Sequence, residues 1–97
     1  MSRTAIHPGE ILGDELEEIG IKGAALSRIL KVPENRIPAI LRGDCNITPD
    51  TALRLGKWFG AGLEFWMNLQ KSYELRKARQ KIGNEIEQIP RRTTEPA

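Results

Sequence analysis

Residues 20–43, GIKGAALSRILKVPENRIPAILRG, can bury their apolar side chains economically only as two short helices joined by a tight turn. In the first half Leu26 and Leu30 stand one helical turn apart, and Ala24 and Ala25 are small enough for another helix to cross closely. Val32 fills the corner. In the second half Ile37, Ile40 and Leu41 recur at helical spacing and must face inward, which turns Asn35, Arg36, Ala39 and Arg42 toward water. Gly43 supplies the stop. A short helix that shows solvent an amide, two guanidiniums and a small residue has the geometry of a helix-turn-helix reader of the DNA major groove. Helix pairs of this kind are also common in all-α domains that touch no nucleic acid. Local charge tips the reading toward DNA, because Lys22, Arg28, Lys31, Arg36 and Arg42 stand against Glu34 alone.

A chain of 97 residues supports a single core. Its net charge of +2 does not mark a nucleic-acid binder; the distribution of charge does. Residues 1–20 carry Arg3 against Glu10, Asp14, Glu15, Glu17 and Glu18, so an acidic face adjoins the basic one. Cys45 is the single cysteine, which excludes an internal disulfide and leaves no thiolate set for zinc. No apolar run reaches membrane-spanning length, and MSRTAIHPGE lacks the apolar core of a signal peptide. The expected location is the cytoplasm, with no membrane partner.

His7 and Pro8 read as the start of a first helix, with Leu12, Leu16 and Ile19 as its buried stripe and Gly20 as its end. Glu10, Asp14 and Glu17 line its outer face. His7 is either a cap or a base, and the cap is expected, because no nucleophile motif accompanies it. The carboxylates have no neighbouring histidine or cysteine with which to form an acid–base or metal site. Neither an enzyme nor a cofactor is expected. After the helix-turn-helix, Ile47 should pin a loop. Thr48, Pro49 and Asp50 then begin a fourth helix with Ala52, Leu55, Gly56 and Phe59 inside. Gly60 and Gly62 break the chain before a long fifth helix whose apolar residues exceed one stripe. Its Phe65, Trp66, Leu69 and Tyr73 either complete the core or meet a second copy, and the expectation is a homodimer interface. Residues 1–75 form the DNA-binding domain. Residues 76–97 form a basic helical extension that runs to about Ile89 and ends in a disordered tail, PRRTTEPA.

HPGEIL, the helix-turn-helix, ITPDTALRLGKWFG and EFWMNLQKSYEL together resemble the HigA or VapI type of antitoxin, within the lambda-repressor-like group, over residues 6–75. The resemblance implies an all-α, five-helix domain that dimerises and binds double-stranded operator DNA at its own promoter. It also implies neutralisation of a small basic RNA-cleaving toxin. Position by position, the reader helix would span residues 34–42, with Asn35, Arg36 and Ala39 nearest the bases. Lys22 and Gly23 would fall at phosphate positions, and Arg28 and Arg42 would add phosphate contacts. Glu10, Asp14, Glu17 and Glu18 would steer the toxin to the side away from DNA.

Three departures stand out. Lys22 and Gly23 replace the serine and glutamine common in the family. Lys31 occupies a turn position usually given to glycine, at about 1 kcal/mol if left-handed. Pro38 lies inside the expected reader and costs up to ~3 kcal/mol there unless the helix bends. A toxin-binding inhibitor with weak or lost DNA binding therefore stays open, as does an ordinary transcriptional regulator without a toxin.

Overall fold

A computed structural model describes residues 5–60 and 62–93. Five helices follow one another, α1 (Pro8–Ile19), α2 (Gly23–Leu30), α3 (Arg36–Leu41), α4 (Pro49–Phe59) and α5 (Leu63–Glu87), with no strand among the described residues. The expected disordered tail falls partly on residues 94–97, which lie outside the described residues.

Local chemistry sets most of the boundaries. The buried His7 caps α1, its Nδ1 accepting the Gly9 N–H at 2.9 Å, and Pro8 takes the first helical position. Gly20, with φ 82°, ends the helix by donating to the Leu16 carbonyl at 2.8 Å. At α4 the Thr48 hydroxyl accepts from the Thr51 N–H at 3.3 Å, again just before a proline. The C-terminus of α2 closes on Lys31 rather than glycine, at φ 62° and ψ 41°. Paired bonds from the Lys31 N–H to Arg28 and from the Val32 N–H to Ser27 hold this residue in the left-handed region.

The core gathers Leu12 and Leu16 of α1, Leu26 and Leu30 of α2, and Ile37 and Ile40 of α3. Ile47, Ala52 and Leu55 add to it, and Trp66 of α5 completes it. Ile19, expected in this stripe, is half exposed, because the last residue of α1 lies beyond the edge of the core. Gly9 lets α1 cross α3 with the backbones in contact: a Cβ at that position would lie 1.9 Å from the Ile40 carbonyl oxygen.

The fifth helix puts Trp66, one residue of the expected dimer surface, inside the monomer core. Trp66 is only 3% exposed and packs within the monomer, its ring 5.5 Å from that of Phe59. Leu69 is partly buried against the same core, and Tyr73 sets its ring edge-on to His7 at 4.8 Å. The first half of α5 packs against both α4 and α1, which accounts for apolar residues beyond a single stripe. Of the four residues, Phe65 is exposed, at 49%, and Leu69 and Tyr73 keep part of their surface. Past Tyr73 the helix leaves the core, which stretches the molecule to 60 × 28 × 22 Å.

Candidate nucleic-acid interface

The reader helix is shorter than expected and begins later. The Pro33 carbonyl takes the Arg36 N–H at 2.8 Å, and the helical run starts at Arg36. Pro38 therefore sits in the first turn, where backbone donors have no partner within the helix and proline is tolerated. Its neighbours are satisfied: the buried Ser27 hydroxyl accepts the Ile37 N–H at 3.0 Å, and the Asn35 carbonyl accepts the Ala39 N–H at 3.0 Å. The α3 helix runs without a break through Pro38, so the bend that the sequence left open is not seen. Gly23 makes room for the proline, since a Cβ there would lie 3.4 Å from Pro38 Cγ and 3.0 Å from Leu41 Cδ1.

Around this pair the structure sorts the candidate residues. Lys22 is exposed and precedes α2 without any side-chain cap, while Gly23 is half-buried in the helix crossing. Asn35 and Arg42 are exposed, and Arg36 is partly so. Ala39 is not: it is 4% exposed, contrary to its expected outward position. The Asp44 N–H donates to its carbonyl at 2.9 Å, and a methyl this deeply buried does not present itself to a base.

Each arginine of the face has an acidic neighbour. Arg28 meets Glu34 at 2.9 Å, Arg42 meets Asp44 at 3.0 Å, and Arg36 lies 3.9 Å from Asp50 and 3.5 Å from the Thr51 hydroxyl. The first two pairs are well exposed on both sides, so each is worth no more than about 1 kcal/mol and yields readily to a phosphate. Glu10, Asp14, Glu17 and Glu18 of α1 are all exposed, and none forms an ion pair among the described residues.

Two supporting residues escaped the sequence reading. Arg54 donates through Nε to Asp50 at 3.1 Å and through a terminal nitrogen to the Leu30 carbonyl at 2.7 Å, so it caps the end of α2 from α4. The Asp50–Arg54 spacing was visible as a helical i,i+4 pair; the reach to α2 was not. Gln70, 3% exposed, accepts the Ile47 N–H at 2.8 Å and ties the loop behind the reader to α5.

A scan against models of known protein families finds no match. Individual relatives are close. Virulence-associated protein I of Dichelobacter nodosus is 47% identical over 77 residues, covering 78% of this chain and 71% of the relative. The structure of an addiction module antidote protein of the HigA family from Coxiella burnetii superposes with a TM-score of 0.89 at 44% identity, over 94% of this chain and 100% of that one. PA4674 of Pseudomonas aeruginosa, solved in complex with its operator DNA, superposes with a TM-score of 0.87 at 44% identity, over 93% of this chain and 96% of that one. With the same five helices and this degree of identity across nearly the whole chain, the protein belongs to the HigA family of helix-turn-helix antitoxins.

Proposed function

We propose that this protein binds the operator of its own toxin–antitoxin operon as a homodimer and neutralises the partner toxin. The observation that carries the reading is the intact α2–α3 pair, with Lys22, Arg28, Arg36 and Arg42 around a reader that its proline does not break. Its likeness to PA4674, which was crystallised on operator DNA, supports the same conclusion. In this reading Lys22, Arg28 and Arg42 hold phosphates, while Asn35 and Arg36 reach base edges. Gly23 brings the α2 backbone close to the phosphates, and Ala39 supports the helix from inside. The toxin is a small basic ribonuclease that docks on the acidic side, around Glu10, Asp14, Glu17 and Glu18, by attraction that salt screens.

The experiment is a titration of fluorescently labelled DNA from upstream of the gene, and of a scrambled duplex, across a salt series. Operator binding should be much the tighter, and its affinity should fall linearly with salt on logarithmic axes. Arg36→Ala should relax preference at one base pair at a cost of ~1–3 kcal/mol, whereas Arg42→Ala should weaken every duplex alike. Equal affinity for both duplexes would overturn operator recognition. In a second arm, reversing Glu17 and Glu18 to lysine should slow toxin association several-fold at low salt and leave operator binding unchanged. An unchanged association rate would move the toxin to another face.

A further inference from the structure

Of the three arginines paired on the candidate DNA face, two are held by residues close in sequence and one is not. Arg28 meets Glu34 and Arg42 meets Asp44 in the turn or loop beside it, and more than half of each of these four side chains is exposed. Arg36 reaches a different helix. Its terminal nitrogen Nη1 lies 3.5 Å from the Thr51 hydroxyl and 3.9 Å from a carboxylate oxygen of Asp50, and its side chain is the least exposed of the three, at 34%.

The first turn of α4 is a firm support for that contact. Thr51 is fully buried, the Thr48 hydroxyl caps the helix by accepting the Thr51 N–H, and Pro49 fills its first position. Asp50 is steadied in turn by Arg54, which donates to it through Nε at 3.1 Å and to the Leu30 carbonyl through a terminal nitrogen at 2.7 Å. A run of polar contacts thus joins the end of α2, the start of α4 and the first residue of α3. From sequence, Asp50 reads only as an acid at a helix start.

A guanidinium is planar, and its five N–H donors form a rigid fork. With Nη1 turned toward α4, Nε and the second terminal nitrogen form an edge of parallel donors that no partner meets among the described residues. Such an edge matches the O6 and N7 acceptors of a guanine. A long side chain that is already ordered loses less freedom on binding, and one held at a fixed angle adapts poorly to a wrong base.

We propose that Asp50 and Thr51 are positioning residues for Arg36, holding its guanidinium by the Nη1 side so that the open edge discriminates one base pair. Asp50 is 58% exposed, so the ion pair adds little to folding, and its effect falls on specificity. This role rests on the proposed function, in which Arg36 reaches a base edge.

The test measures binding to the operator, to a set of operators each changed at one base pair, and to a scrambled duplex. Arg36→Ala should relax discrimination at one pair, which identifies the base it reads. Asp50→Asn should relax discrimination at that same pair by ~5-fold or more, while affinity for the scrambled duplex holds or rises because an anion has gone. Thr51→Val, which removes the hydroxyl, should act in the same direction, and Thr51→Ser, which keeps it, should discriminate as the parent does. Arg36→Ala/Asp50→Asn should bind the operator within about two-fold of Arg36→Ala alone, because both changes remove one contact. If Arg36→Ala relaxes no pair, base reading by Arg36 fails and the positioning role with it. If Arg36→Ala relaxes a pair that Asp50→Asn still discriminates as the parent does, base reading stands and the positioning role is overturned. Asp50→Asn that weakens every duplex equally would overturn it as well, by showing support of the fold alone.

Discussion

At the scale of single residues, the tightest constraint is Gly9. Any side chain there meets the Ile40 carbonyl, a backbone group that cannot rotate away, so α1 must lift off the reader helix. Gly9→Ala should therefore destabilise the fold by about 3 kcal/mol, at the upper end of ordinary overpacking, as read from the urea midpoint. A loss under 1 kcal/mol would mean that the two helices can part cheaply. Asp44 makes a different kind of case, because its partner Arg42 is exposed and the pair contributes little to folding. Asp44→Asn removes an anion beside Arg42, the arginine that the proposed function sets on a phosphate. It should tighten binding to all duplexes by roughly two- to five-fold at low salt, with the melting temperature unchanged. A gain confined to the operator would show instead that Arg42 reads sequence.

At the scale of elements, Pro38 shows how much depends on where a helix begins. Counted from Glu34, the proline falls inside the reader and breaks a bond; counted from Arg36, it falls in the first turn and breaks none. The difference was not legible locally, because the Ser27 hydroxyl that takes the Ile37 N–H comes from the neighbouring helix. Pro38→Ser should accordingly not stabilise the protein. It should cost about 1 kcal/mol in thermal or urea unfolding, from a looser unfolded chain and lost packing on Gly23, while operator affinity stays within two-fold. A stabilised variant would restore the view of this proline as a defect. What sequence could supply at this scale were the cap and period signals: His7-Pro8, Thr48-Pro49 and the left-handed Gly20 all stand where expected. Ala39 escaped because helical spacing alone turned it outward although it is buried, and Trp66 because its cover, Phe59 of α4 among it, depends on how α4 and α5 pack and not on the period of α5.

At the scale of the whole molecule, α5 joins two tasks. Its first half closes the core, and its second half projects as an arm. Gln70 links the core end of that helix to the reader, since its carbonyl oxygen takes the N–H of Ile47, 23 residues away, while its amide donates to Glu74 at 3.0 Å. Both groups of the Ile47 contact are buried, so no water replaces the bond cheaply. Gln70→Leu keeps the volume and strands the amide. The variant should lose ~1–3 kcal/mol, the cost of an unsatisfied buried donor. The strain falls on residues 44–48, which set α3 relative to α4. Amide hydrogen exchange at Ile47 should therefore accelerate by more than exchange at Leu12 or Leu26, and operator affinity should fall although no residue of the DNA face has changed. Should exchange rise equally at all three amides, Gln70 supports global stability only, and the reader does not depend on its hold.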